Sequence, residues 1–158
     1  SAGMAMLLLL SACGFEPVYA PGGGRISGAL AGVVVEQPPG RIGQAMRLAI
    51  LDGIADRNTG VQPQYRLRTK LLVEKERVAI QVDESAARVN VTVTATWSLL
   101  DAAGLNRLDG GDLRRSVAYN VVDDTFASLM AERDAERLAG QEVGQAIRTR
   151  LLLALRDR

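Results

Sequence analysis

A single cysteine is the most reactive side chain in this sequence, and its neighbours indicate what chemistry it undergoes. Cys13 follows the apolar run Met6–Leu10 and the small residues Ser11–Ala12, and Gly14 comes directly after it. The run is too short to span a bilayer, which takes about 20 apolar residues, and its length is typical of a signal-peptide core. A buried strand is the alternative, but the Pro- and Gly-rich stretch that follows disfavours it. We therefore expect residues 1–12 to be a targeting segment that ends at a modifiable thiol.

The tetrapeptide that ends at Cys13 resembles the lipobox of bacterial lipoproteins, in which the cysteine carries lipid and becomes the mature N-terminus. This resemblance implies a covalent lipid on Cys13, and we expect no other cofactor. Residues 13–28 are then a lipidated flexible tether, because prolines and a run of glycines disfavour regular structure. Residues 29–158 are expected to form a single α/β domain. No Lys or Arg precedes Arg25, so the positive start of a signal segment is missing and we expect the segment to be N-truncated.

The composition argues against most catalytic and metal chemistry. The 158 residues include no His and one Cys, so the commonest general base and the usual zinc ligands are absent. A net charge of +1 creates no strong field for nucleic acid. The adjacent acids Asp123 and Asp124 are better interpreted as a helix N-cap than as a catalytic pair. We expect no catalytic residues, no metal site and no nucleic-acid partner, although a hydrolase that uses carboxylates alone stays open.

Hydrophobic periodicity predicts the element order strand, helix, strand, strand, strand, helix. The predicted bounds are Leu30–Glu36, Arg41–Asn58, Gln64–Glu76, Ser85–Leu99, Leu113–Val121 and Thr125–Leu155. The second strand either continues or bends through Val78–Val82, and Asp109–Gly111 is predicted to be a loop. Because two helices cover only one face of four strands, we expect an α+β two-layer sandwich, with a four-stranded mixed sheet and both helices packed on one face.

Cations occupy every second position in the first half of the predicted strand Gln64–Glu76, so they lie on one face of it. Charged donors of this kind suit phosphate groups, and the candidate contacts are Arg66, Arg68, Lys70 and, on the next strand, Arg88. The alternative is a solvated sheet face, or an edge strand on which lysine discourages aggregation. Weaker candidates for the same role are Arg107, Arg114 and Arg115.

The segment Cys13–Tyr19, which reads Cys-Gly-Phe-Glu-Pro-Val-Tyr, resembles the mature start of the lipopolysaccharide-assembly lipoproteins, the LptE family. The alternating strand Arg88–Ala95 and the long helix from Phe126 to Leu151 are similar to elements of the same family. Together these segments cover most of the chain after Cys13. The chain is most similar in style to alphaproteobacterial members, which tend to be short.

That resemblance implies a role without catalysis. The family acts as a plug and assembly subunit inside a large outer-membrane β-barrel of the LptD type, supports lipopolysaccharide insertion and binds lipopolysaccharide. It implies an outer-membrane, lipid-anchored protein that faces the periplasm and the barrel lumen, and Gly14 fits outer-membrane sorting. An auxiliary lipoprotein of a lipid-transporting ABC system is the alternative, since such proteins also join a lipobox to a small α/β domain. The Cys13–Tyr19 motif favours the β-barrel subunit over the ABC-system lipoprotein.

Overall fold

The computed structural model describes residues 30–52, 62–79 and 87–156. Cys13, the predicted targeting segment and the whole of the predicted tether lie outside these ranges. The elements follow the predicted order: β1 (Val33–Val35), α1 (Gly40–Leu51), β2 (Tyr65–Ala79), β3 (Ala87–Asp101), β4 (Arg107–Val121) and α2 (Thr125–Arg156). The predicted α+β class, with a four-stranded mixed sheet and two helices, is confirmed.

The sheet has the strand order β1-β2-β3-β4. β1 pairs with β2 in parallel, with Val33 opposite Tyr65, and the other two pairs are antiparallel. A parallel pair needs a crossover connection, which α1 supplies. β1 ends early because Pro38 and Pro39 follow it, and proline has no N–H to donate to a ladder. Beyond Leu67, β2 therefore has no described neighbour on the β1 side.

The core lies between the sheet and the two helices. On β3 every second residue from Val89 to Leu99 is buried, which confirms the predicted alternation. These side chains meet apolar residues of both helices, chiefly Met46, Ile50, Ala139, Val143, Ile147 and Leu151. Burial of this apolar surface is the main force that holds the layers together.

The two helices approach each other through small residues. A Cβ on Gly140 would lie 2.7 Å from the Ile42 carbonyl oxygen, and one on Gly144 would lie 2.5 Å from the Met46 carbonyl oxygen. Ala45 and Ala49 face the same two glycines from α1. Because no side chain separates the backbones here, α1 is held closely against α2.

The loop predicted at Asp109–Gly111 is wrong, because β4 begins earlier and includes both glycines. Gly111 pairs with Trp97, and the Trp97 indole nitrogen lies 3.7 Å from where a Gly111 Cβ would be. The missing side chain leaves room for the indole ring over the strand, an arrangement in which an aromatic residue compensates for a strand glycine.

Other element ends differ modestly from prediction. α1 ends at Leu51 rather than Asn58, since Asp52 already has extended backbone angles. β2 continues to Ala79 without a break. α2 begins as predicted: Asp124 Oδ1 accepts a hydrogen bond of 2.8 Å from the Ala127 N–H, as an N-cap does. The first turns of α2 leave Phe126 and Met130 exposed, and the buried residues of this helix begin at Ala135.

Candidate functional site

The sheet surface that faces away from the helices, here called the open face, is polar. Residue rows cross it from β2 to β4, and the central rows are centred on Thr92, Thr94 and Thr96. Two side-chain hydrogen bonds join β3 to β4 within these rows, from Thr96 Oγ1 to Asp112 Oδ1 at 2.6 Å and from Thr92 Oγ1 to the Ser116 hydroxyl at 3.1 Å. The open face is thus a hydroxyl-rich surface that also carries charged side chains.

Arg66 belongs to the scaffold of this surface. Its Nε donates a 3.0 Å hydrogen bond to the carbonyl oxygen of Ala102, within the turn that joins β3 to β4. Asp101 organises the same turn by accepting bonds from the Leu105 N–H and the Asn106 amide. These bonds hold the pKa of Asp101 below its ordinary value. Arg66 therefore connects the turn to β2. Of the three cations in the predicted row, only Arg68 and Lys70 are not bonded to this turn.

Arg68 and Lys70 differ in how they are held. Arg68 forms an ion pair of 3.0 Å with Glu36, the residue after β1. Lys70 is exposed, and no described residue pairs with it. In its row, Thr96 and Asp112 occupy β3 and β4. Lys70 is thus the more accessible cation on this part of the open face.

The structure separates Arg88 from these cations and brings Arg114 nearer. Arg88 pairs with Val78, twelve positions along β2 from Arg66, which corresponds to about 40 Å. Arg114 stands in the row next to Lys70, opposite Thr94, with about 12 Å between the two Cα atoms. The sequence did not single out Arg114, because which residues are neighbours on the sheet depends on strand register, which the sequence does not state.

The remaining two candidates do not join this group. Arg115 pairs with Val93 and so lies on the helix side of the sheet, where its guanidinium donates a 2.8 Å bond to the Arg114 carbonyl oxygen. Arg107 lies at the start of β4 and its Nε donates to the Asp109 carbonyl oxygen at 3.3 Å.

A charged cluster on the helix side of the sheet was not anticipated from the sequence. Lys75 of β2 binds Glu132 and Glu136 of α2, the latter at 2.8 Å, and Arg41 of α1 binds Glu136 at 2.9 Å. Only 11% of the Glu136 side chain is exposed. The partners are far apart in sequence, so no local charge pattern reveals them. The cluster connects one strand with both helices.

Two members of this cluster, Lys75 and Glu136, have pKa values that their neighbours shift. Burial pushes the pKa of Glu136 upward, but hydrogen bonds from Lys75 and Arg41 outweigh burial and hold that pKa below its ordinary value. Hydrogen bonds to Glu132 and Glu136 raise the pKa of Lys75. Glu136 therefore stabilises the fold above pH 4.5, and this stability is lost as the pH falls through the lowered pKa. The Lys75 contribution is complete below pH 10.5 and is lost as the pH rises through the raised pKa.

Glu136→Gln should therefore lower the free energy of unfolding at neutral pH, by about 1 kcal/mol because Lys75 and Arg41 are partly exposed. The difference from the parent should shrink below about pH 4.5, where the parent carboxylate is also protonated. Urea unfolding from pH 3 to 7 measures both effects. Glu142→Gln, on the same helix but without a described ion pair, is the control. A difference that stays constant across this range would contradict the role of Glu136.

A cleft of about 940 Å³ opens between β2 and the start of α1. Its walls are Thr69, Leu71 and Val73 on the strand, and Pro38 to Ile42 on the other side. The Thr69 hydroxyl is buried and has no hydrogen-bond partner among the described residues. The cleft is therefore mostly apolar, with one unused hydroxyl and with Lys75 and Glu136 at its side.

Comparison with solved structures places this fold among known proteins. A candidate lipoprotein from Caulobacter crescentus CB15 matches with 25% identity and a TM-score of 0.66, over 84% of this chain and 96% of that one. A minor lipoprotein from Acinetobacter baumannii matches with 14% identity and a TM-score of 0.56, over 77% of this chain and 91% of that one. The chain shares its fold with bacterial lipoproteins. This supports the lipoprotein interpretation of the lipobox.

Neither sequence comparison nor a search of the described residues reveals a further site. No protein-family profile matches the chain, and no curated protein matches it significantly. Within the described ranges, acidic side chains do not gather into groups of three that could hold a metal ion. None of the described helices is long and apolar enough to cross a membrane.

Proposed function

We propose that this chain is a lipid-anchored outer-membrane subunit of the LptE type, which assembles with a large β-barrel and supports lipopolysaccharide insertion. In this proposal Cys13 carries the lipid, the described domain is the plug, and no catalysis takes place. The observation that carries the proposal is the pairing of the Cys13–Tyr19 motif with a two-layer α+β domain of a fold found in bacterial lipoproteins.

The open face supports the lipopolysaccharide part of the proposal. Lys70 is exposed and unpaired among the described residues, Arg114 stands one row away, and Arg68 is held nearby by Glu36. The spacing of about 12 Å between the Cα atoms of Lys70 and Arg114 lets two long side chains converge on one phosphate group. The Thr94 hydroxyl, in the same row as Arg114, offers a further hydrogen-bond donor for a phosphate or sugar oxygen.

Affinity purification of the tagged protein from detergent-solubilised membranes tests the barrel partnership. The expected result is one large β-barrel protein in stoichiometric amount, identified by mass spectrometry. An ATPase and a permease in its place would assign the chain to a lipid-transporting ABC system. If the tagged protein is recovered from the membranes with no large membrane protein bound to it, the proposal is contradicted.

Lipopolysaccharide binding should depend on the paired cations of the open face. Lys70→Ser combined with Arg114→Ser is expected to weaken binding about tenfold, because each charged contact is worth about 1.5–3 kcal/mol before solvent screening. The loss should shrink as salt is added. Arg133→Ser combined with Arg156→Ser removes the same charge from exposed positions on α2 and serves as the control. Equal affinity of the two double variants would remove the open face as the binding site.

A further inference from the structure

Beyond Leu67, β2 has a long strand edge that pairs with no described strand and borders the cleft beside α1. The Tyr65 N–H donates to the Gly32 carbonyl oxygen, and the Leu67 carbonyl oxygen accepts from the Glu36 N–H, so backbone groups of these odd-numbered residues point toward β1. Because backbone direction alternates along a strand, the N–H and C=O groups of Thr69, Leu71, Val73 and Lys75 point to the same side. Past the end of β1 they face outward.

The open-face residues of this edge carry positive charges on one side of a central leucine and negative charges on the other. Two cations, one leucine and two acids alternate along it: Arg68, Lys70, Leu72, Glu74 and Glu76. Leu72 is 59% exposed, so apolar surface lies in the middle of the row. When this row is placed beside an antiparallel copy of itself, each cation lies opposite an acid.

We propose that the free protein forms an antiparallel dimer through the β2 edge, with Leu72 of one copy opposite Leu72 of the second copy. In this register Lys70 lies opposite Glu74 of the other copy, and by symmetry each such pair occurs twice. Arg68 lies opposite Glu76 in the same way, in competition with its bond to Glu36. On the helix side, Leu71 lies opposite Val73, beside the cleft that borders the edge.

Other registers fit less well. A shift of the dimer centre by one residue places Leu72 opposite a charge, either Lys70 or Glu74 of the other copy. A shift by two residues places Lys70 opposite Lys70 or Glu74 opposite Glu74, and like charges directly opposite are destabilising. The ladder runs from Arg68 to Glu76, because β1 occupies the edge of each copy up to Leu67. Beyond Glu76, β2 must diverge from β1 of the other copy.

A second copy is the occupant that the sequence supports, because an isologous contact requires self-complementary surfaces and this edge is self-complementary in charge. The dimer is a property of the chain before it meets any barrel, and it does not rest on the proposed function. It also protects an exposed edge from uncontrolled pairing.

Charge exchange tests the dimer and its register together. Sedimentation equilibrium of the full chain carrying Cys13→Ser, up to about 0.5 mM to reach weak interfaces, should show a species of twice the 16.9 kDa chain mass. Lys70→Glu alone, and Glu74→Lys alone, should each weaken dimerisation about tenfold, because both symmetric pairs become repulsive. Lys70→Glu combined with Glu74→Lys should restore the parent dissociation constant. A monomer throughout, or a dimer that ignores these changes, would overturn the proposal.

Cysteine cross-linking provides a second measurement. Even-numbered residues of the two edges form the non-hydrogen-bonded pairs, in which side chains approach closely. Leu72→Cys, in the Cys13→Ser background, should give a disulfide-linked dimer under mild oxidation. Leu105→Cys is the matched control, since Leu105 is 83% exposed and lies in the β3–β4 turn. Cross-linking of Leu105→Cys as fast as Leu72→Cys would show random collision and would contradict the register.

Discussion

Gly144→Ala is expected to destabilise the protein by about 2 kcal/mol, although alanine is normally the better helix residue. The new Cβ would lie 2.5 Å from the Met46 carbonyl oxygen and 2.7 Å from the Ala49 Cβ. Backbone cannot move aside as a side-chain end can, so α1 must shift. Overpacking costs about 1–3 kcal/mol, and a clash with a backbone atom belongs at the upper end of that range. Subtracting the gain of about 1 kcal/mol in helix propensity leaves a net loss of about 2 kcal/mol. Thermal unfolding measures the effect, with an expected fall of about 6 °C in Tm.

Two further variants make this expectation specific. Gln145→Ala changes the neighbouring, exposed position and should leave Tm unchanged. Adding Ala49→Gly to Gly144→Ala should recover only part of the loss, since the Met46 carbonyl oxygen remains in the way. An unchanged or higher Tm for Gly144→Ala would mean that the helices are not in the close contact described.

Cys13→Ala should move the protein from the membrane fraction to the soluble fraction of its host, or leave it unprocessed. Each buried methylene of an acyl chain is worth about 0.8 kcal/mol, and two chains are enough for stable anchoring. Without the thiol no lipid can be attached, so the whole of this energy is lost. Immunoblots of fractionated cells, with the native leader in place, report both location and size.

Ser11→Ala is the control for the lipobox, because it changes the neighbouring sequence but keeps a small residue before the cysteine. It should remain in the membrane fraction at the mature size. If Cys13→Ala also sediments with the outer membrane at the mature size, Cys13 does not carry the anchor.

The sequence predicted the sheet better than the contacts across it. β3 was predictable because burial of one face leaves a strict alternation, and the Asp124 cap was predictable because its bond is local. β4 was predicted too short because Gly110 and Gly111 indicate a loop by local preference, whereas packing under Trp97 decides the outcome. Tertiary packing overrides local propensity at such positions.

The sequence analysis missed both the close helix contact and the charged cluster, but for different reasons. Gly140 and Gly144 are four residues apart, as are Ala45 and Ala49, so small residues on one face of each helix could have predicted a close crossing. The bonds from Lys75 to Glu132 and Glu136 could not be predicted in this way, since they join residues 57 and 61 positions apart. Their pairing depends on where α2 lies over the sheet, which only the assembled layers determine.

The parallel pairing of β1 with β2 gives the domain a direction. The chain enters the sheet where Val33 meets Tyr65, at the same end as the Asp101–Asn106 turn. The other end, where Ala79 meets Ala87, lies about 45 Å away and carries the exposed Phe126 at the start of α2. The two ends of the sheet therefore present different surfaces: the chain entry and the Asp101–Asn106 turn lie at one end, and the exposed apolar side chain of Phe126 lies at the other.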